Sequence, residues 1–359
     1  MAVRDRFLET LRGGRPNPLP DMEFGYWDKT IAVWHEQGLP RDIRTNADLE
    51  RHLGLEGLSI IPELPVHIGL FPDFEERVIE EKNGRRLVVD REGALCEKLD
   101  FDSTMPRYIR FAVETREDWE RLRDERLDPA RPGRIGDVRR AADEAHAAGM
   151  PVTVHCGSLY GRLRNWMGLE NFSLALMTDR DWVEEMMEHL TGLALRLIED
   201  ALPGVEADAA WWWEDMCYNH GPLLSPRLFE DLMVPRYRRI TDALRRHGVE
   251  VNVLDCDGRI DALVPGWLRA GIDVMFPVEA IHTDPLRLRR DFGSRVRMIG
   301  GVNKMSLIAG RGAIDREIER LTPLVAEGGI IPCIDHRVPP DVTFENYLYY
   351  LERKRTFLL

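Results

Sequence analysis

Long apolar runs are missing from this chain. Of its 359 residues 44% are hydrophobic, yet no stretch approaches the roughly 20 consecutive apolar residues that a membrane-spanning helix requires. The opening MAVRDRFLETLRGG is too charged for a secretory leader. Cysteine is scarce. The five cysteines, at 96, 156, 217, 256 and 333, stand far apart and form no CxxC pair, which argues against a disulfide framework or a zinc ribbon. A reducing, cytoplasmic setting fits that usage. Basic residues nowhere mass into a patch and the net charge is −13, so nucleic acid is not the expected partner. No G-x-G-x-x-G follows an early strand, which disfavours a nicotinamide-binding doubly wound sheet. There is no internal repeat and no low-complexity segment.

What is present is alternation. From about residue 105, short apolar runs take turns with amphipathic stretches of helical period: RYIRFAV (107–113), PVTVHC (151–156), ADAAWWWE (207–214), VEVNVLD (249–255), IDVMFPVE (272–279), RVRMIGGVN (295–303) and GGIIPCIDH (328–336). Strands separated by helices in this way predict parallel βαβ units. Seven such strands, with DMEFGYW (21–27) as an eighth, predict an α/β chain folded as a (β/α)8 TIM barrel. Residues 1–75 are expected to cap the barrel mouth and residues 76–359 to form the barrel. The protein is expected to be a monomer or a homodimer.

Active sites of such barrels lie where the strands' C-terminal ends meet, and here those ends carry chemistry. PVTVHC ends at His155 and Cys156, AAWWWE at Glu214 and Asp215, VNVLDCDG at Asp255 and Asp257, VMFPVE at Glu279, MIGGVN at Asn303, and GIIPCIDH at Cys333, Asp335 and His336. Period-2 alternation in WWWE pairs Trp212 with Glu214 and sets Trp211 and Trp213 on the other face. With Glu214 taken as inward, Trp212 faces the pocket, and Trp211 and Trp213 pack against helices. Tyr26, Trp27, His155, Tyr160, Trp212, Glu279 and Asn303 are the candidate contacts for a small-molecule substrate. Cys217 and His220 lie beyond the tip and read as structural, Cys256 as a buried thiol, and Arg162 and Arg164 as helix-surface residues.

Four stretches, GRLRNWMGLENF, WWWEDMCYNHGPLLSPRLFEDLMVPRYRRI, VNVLDCDGRID and GGIIPCIDHRVPPDVTFENYLYYLE, resemble the uroporphyrinogen decarboxylase superfamily. That resemblance implies a (β/α)8 barrel and one of two chemistries: porphyrinogen decarboxylation, or zinc-dependent methyl transfer to a corrinoid carried by a separate protein. In the methyltransferase branch a His-x-Cys and a later Cys bind zinc. Those positions fall here on Asp255, Asp257 and Cys333, with His336 and Glu214 beside them. The implied metal ligands are therefore Asp255, Asp257, Cys333 and His336, and the implied catalytic groups are Glu214, Asp255 and His336. The decarboxylase branch grips its polyanionic substrate with N-terminal arginines. The matching DMEFGYWDKT contains none, and an acidic mouth repels such a substrate. A metal-independent lyase and a non-catalytic binding barrel are the rival readings.

Overall fold

The computed structural model describes residues 1–99 and 106–359. Helices α1 (Val3–Leu11), α2 (Asp28–His35) and α3 (Asn46–Leu53) precede an antiparallel meander, β1 (Arg77–Lys82), β2 (Arg85–Val89), β3 (Leu95–Leu99) and β4 (Arg107–Arg110). Two helices, α4 (Arg116–Arg126) and α5 (Val138–Ala147), lead into β5 (Thr153–His155). Next come α6 (Gly161–Met167), α7 (Leu169–Thr178), α8 (Arg180–Ala201), β6 (Ala209–Trp213) and a small hairpin, β7 (Cys217–Tyr218) with β8 (Gly221–Pro222). The remainder alternates: α9 (Pro226–Leu232), α10 (Val234–Arg246), β9 (Val251–Asp255), α11 (Val264–Ala270), β10 (Val274–Val278), α12 (Pro285–Phe292), β11 (Arg297–Val302), α13 (Lys304–Ala309), α14 (Arg311–Glu327), β12 (Ile330–Ile334) and α15 (Phe344–Leu358). Helix starts follow local chemistry. Thr115 and Asp118 form a capping box on α4, and the Ser225 hydroxyl caps α9 with Pro226 in its first turn.

Six strands form one parallel sheet in the order β12-β11-β10-β9-β6-β5. At the β5 edge Glu63 bridges Thr153 in parallel, and beyond β12 Tyr26 bridges Val338 in parallel. The wall is thus extended at both ends, giving eight segments in the sequence of a (β/α)8 barrel. Strands β10 and β12 are buried at every position, as expected when helices cover one face and the barrel interior the other. That interior is a cluster of its own, containing Ala209, Val251, Val253, Val274, Phe276, Ile299, Ile331 and Cys333, with Met22, Phe24, Ile61 and Trp211 joining it.

Three expectations are corrected. The strand 107–110 belongs to the meander, and the eighth wall segment comes from residues 62–66, because Thr153 exchanges backbone hydrogen bonds with Pro62 and Leu64. The first helix of residues 1–75 is not at the mouth. Helix α1 lies under the strand starts: Arg4 bonds Gly149 and Asp208, and Phe7, Leu8 and Leu11 join the interior cluster beside Ala209, Val251 and Val274. The strands' apolar first residues need a cover, and the apolar face of α1 provides it. Segments 21–27 and 62–66 each bridge the sheet, so two pieces of residues 1–75 contribute to the wall.

One buried acid of the N-terminal region gives a pH test. Glu50 of α3 is fully buried, and burial, reinforced by the charge of Glu23 and partly opposed by Ser59, pushes its carboxyl up to about 7. A carboxyl raised on folding contributes most below its unfolded value near 4.5, and that contribution is lost as pH rises from 4.5 through 7. Glu50→Gln should therefore stabilise the protein at pH 8 by about 3 kcal/mol relative to its effect at pH 4.5. Urea unfolding of both forms at the two pH values checks this. An equal difference at both would remove Glu50 as the cause.

Candidate active site

The register of the sheet sets the faces of the tryptophan strand. Trp211 pairs with Val253 and Trp213 with Asp255, and Val253 belongs to the interior. Trp211 and Trp213 therefore face inward, and Trp212 and Glu214 face the helices, the reverse of the sequence expectation. Period-2 alternation gives the two faces but not which is which. Trp212 is fully buried, donates to the Asn252 side chain at 3.3 Å and meets Tyr237 of α10 edge-on. Trp211 packs edge-on against Phe276, and Trp213 lies under the guanidinium groups of Arg162 and Arg164.

Glu214 is consequently not at the mouth. Its carboxylate accepts from the backbone N–H of Leu159, Tyr160 and Gly161, from the Ser158 hydroxyl and from the Tyr237 phenol, at 2.6–3.2 Å. Five donors leave it no capacity for a metal or a substrate. It fixes the loop that opens α6. Close approach there demands Gly161, since a Cβ would sit 2.8 Å from the Glu214 carbonyl oxygen.

The residue after Glu214 takes the site position instead. Asp215 has a φ of 41°, a left-handed conformation uncommon outside glycine. Its carboxylate, with those of Asp255 at the end of β9 and Asp257 two residues later, forms a group in which one oxygen from each lies within 4.8 Å of the other two. Among the described residues no other set of three histidines, cysteines or acids comes so close. Burial, then the charge of Asp257, pushes Asp215 up to about 6. Burial, then Asp215 and Asp257, raises Asp255 well above the ordinary carboxyl range. Without a cation such a cluster must hold protons; with one it can release them. His336 Nε2 lies 3.4 Å from Asp257 Oδ2. Burial opposes charging of that imidazole, but the bond to Asp257 outweighs it and raises its pKa.

Cys333 does not join the acids. It points into the barrel interior, fully buried, and burial followed by the charge of Glu23 raises its thiol well above the ordinary value. The acid group therefore lacks the one thiol ligand that the resemblance implied. The donors that are assembled are carboxylate oxygens with an imidazole nearby, which suits a hard divalent ion better than a sulfur-seeking one.

Glu279 lies at the mouth, accepting from Gly258 N–H at 2.7 Å and from Lys304 Nζ at 2.8 Å. It ties down the turn after Asp257, where Gly258 has a φ of 82° and a Cβ would meet the Tyr218 backbone at 2.9 Å. Asp335 is buried under the same lysine. It accepts from Ala280 and Lys304 N–H, and burial, opposed by Lys304, pushes it up to about 6. Trp27 stacks on His336 at 5.8 Å.

Four other candidates stand apart from the acid group. Tyr26 is core, its hydroxyl paired with that of Tyr347. Tyr160 is buried against Phe172. Asn303 caps α13 through Met305 N–H. His155 Nδ1 accepts from Gly157 N–H, and burial, then Arg162, pulls its pKa down to about 4.

A cavity of about 640 Å³ opens beside the acids. Asp215, Asp257 and Glu279 line its polar side, and Tyr108, Phe111, Leu169 and Tyr218 its apolar side. The meander thus flanks the site, the place the sequence reading gave to residues 1–75.

Residues 94–357 match the uroporphyrinogen decarboxylase (URO-D) family model. The chain belongs to the URO-D family. Among solved structures it is similar to a methyltransferase from Methanosarcina mazei, with 17% identity, 99% of this chain and 98% of that chain covered, and a TM-score of 0.62. A structure assigned as a vitamin-B12 independent methionine synthase from Listeria monocytogenes aligns at 10% identity over 95% of this chain and 97% of that one, with a TM-score of 0.38. The barrel fold and membership of an enzyme family follow from the family match and the first of these structures. Among the described residues no helix is long and apolar enough to cross a membrane.

Proposed function

We propose that the protein is a metal-dependent methyltransferase that moves a methyl group from a small O- or N-methylated substrate to a corrinoid on a separate protein, or to a thiol. The observation that supports this reading is the Asp215–Asp255–Asp257 group at the strand tips of a URO-D barrel. These three carboxylates would hold a divalent ion, which would act as a Lewis acid on the heteroatom that carries the methyl group. His336, whose pKa the bond to Asp257 raises against burial, would supply the proton that the departing oxygen or nitrogen takes. Trp27 fixes the plane of that imidazole. The cavity beside Asp215 and Asp257 has the size and the apolar wall that a small methylated compound needs.

A decarboxylase reading draws on one feature, the burial that raises the Asp255 carboxyl and so favours a proton there, with which it could quench a carbanion. The experiment separates the two. Purified protein supplied with Mn²⁺ or Zn²⁺, free cob(I)alamin and a panel of methoxyaromatics and methylamines should form methylcobalamin, seen by absorbance. Release of CO₂ from carboxylated panel members with no methyl transfer would replace this reading with the decarboxylase one. Binding with neither product would leave a non-catalytic barrel.

A further inference from the structure

The mouth has a second pole. Arg337, three residues beyond the end of β12, places its guanidinium carbon 5.6 Å from the Phe24 ring centre and 5.5 Å from that of Trp27. Those rings also flank His336, at 5.5 and 5.8 Å, and Phe24 continues to Phe276 at 4.5 Å. Phe276 in turn pairs across the sheet with Asp255. An aromatic wall therefore runs from Arg337 down to the acid group.

Arg337 differs from the other arginines of the mouth. Arg162 is bound to Glu92, and Arg164 to the Asp215 carbonyl and to Asn165. The Arg337 guanidinium makes no ion pair and no hydrogen bond among the described residues, although it is half-buried in an acidic mouth. Two other acids of the mouth are committed elsewhere: Asp257 faces His336, and Asp335 accepts from Ala280 and Lys304. Arg337 is still near enough to Asp255 for its charge to stabilise the ionised carboxyl. A guanidinium held by two ring faces keeps its N–H edge directed and its donors free. Five unspent donors at the barrel mouth, close enough to Asp255 to act on its charge, are what a planar anion binds in bidentate fashion.

The geometry points to Arg337 as the group that recognises a carboxylate on the substrate, so that the methyl donor is a small monocarboxylate. Its methylated heteroatom lies toward Asp215, Asp255 and Asp257, and its carboxylate toward Arg337, with the Phe24 and Trp27 rings between. One carboxylate matches one arginine; a polycarboxylate would meet the three acids. This assignment rests on the reading of the acid group as the reacting end, and the test separates the two.

Binding to the full chain is measured by calorimetry for matched pairs: 4-methoxybenzoate against methoxybenzene, methoxyacetate against 2-methoxyethanol, and benzoate alone, which has no methyl to give. The carboxylated member of at least one pair should bind about 10- to 100-fold more tightly than its neutral partner, the range of one charge-assisted contact. Arg337→Met should abolish that preference without weakening the neutral partner, and Arg337→Lys should keep part of it. Benzoate binding that depends on Arg337, with no methyl transfer from any donor, would uphold this assignment and defeat the proposed reaction. Equal binding of carboxylates by wild type and Arg337→Met, or no carboxylate-dependent binding in either pair or with benzoate, would overturn it. Loss of both partners in Arg337→Met with no preference restored in Arg337→Lys would also overturn it, since it would mark a structural residue.

Discussion

Lys354→Met should lower the unfolding free energy by about 3–5 kcal/mol, among the largest losses a single side chain of this protein can cause. Lys354 is fully buried on α15, and its ammonium bonds the Met22 carbonyl at 2.9 Å, Glu23 at 2.6 Å and Asp21 at 2.8 Å. Glu23 is also fully buried, and it takes the Tyr350 hydroxyl and the backbone N–H of Ile334 in β12. This network ties the first wall segment to the last strand and to the C-terminal helix, the place where the barrel's two ends must be held together. Burial works against the charge on Lys354, but the two acids outweigh it and raise its pKa. Removing the amine leaves Glu23 buried without its cation, so Glu23 must either stay charged at high cost or bind a proton. The sign of the pH effect follows. The variant should regain part of its stability as pH falls from 8 to 5, because a carboxyl with a raised folded pKa gains from protonation. Glu23→Gln in the same chain should restore about half of the loss. Denaturant unfolding of the three forms measures all of this, and a loss below about 1 kcal/mol would show that the pair gives no net stabilisation.

That network was not legible in the sequence, and the reason is physical. Lys354 is separated from Glu23 by 331 residues, and in ERKRTF it reads as one more exposed cation of a helical pattern. The strands and helices, by contrast, carry local signals. Alternating apolar runs, a Ser-Pro helix start and glycine at turns located β5, β6, β9, β10, β11 and β12, and with them the tips where the acids lie. Asp255, Asp257 and His336 were legible because a strand tip is a position in the chain as well as in space. Asp215 was passed over because a period of 2 does not choose between faces. With Trp211 and Trp213 inward, the residue brought to the mouth is Asp215 and the one turned away is Glu214. The Cys333 assignment failed differently. It came from matching positions to a thiolate pattern, while the side chain enters the interior apolar cluster with Ile331. Arg337 gave no signal at all, since an unpaired guanidinium can be recognised only once every acid around it has been placed.

Asp255→Asn should abolish activity, with methyl transfer falling by at least about 100-fold, and should remove metal binding while the fold stands. One of the Asp255 oxygens lies within 4.8 Å of an oxygen of Asp215 and of Asp257, and at the end of β9 the residue is carried by the sheet. Its replacement removes from the group the carboxyl that burial and its neighbours make hardest to ionise. Burial and its neighbours raise the wild-type carboxyl well above the ordinary range, a cost the amide does not bear. The thermal midpoint without metal should therefore stay level or rise, against the fall expected of a purely structural residue. The midpoint shift produced by Mn²⁺ in the wild type should vanish, since an ion that binds only the folded state stabilises it by mass action. Asp257→Ala should behave likewise and, by freeing His336 from its partner, should also lower the imidazole pKa toward its ordinary value, visible by NMR titration. Cys333→Ser is the contrast: with its sulfur in the barrel interior, it should keep Mn²⁺ binding and lose only stability. Loss of metal in Cys333→Ser with retention in Asp255→Asn would reverse the donor assignment and return the site to a thiolate centre.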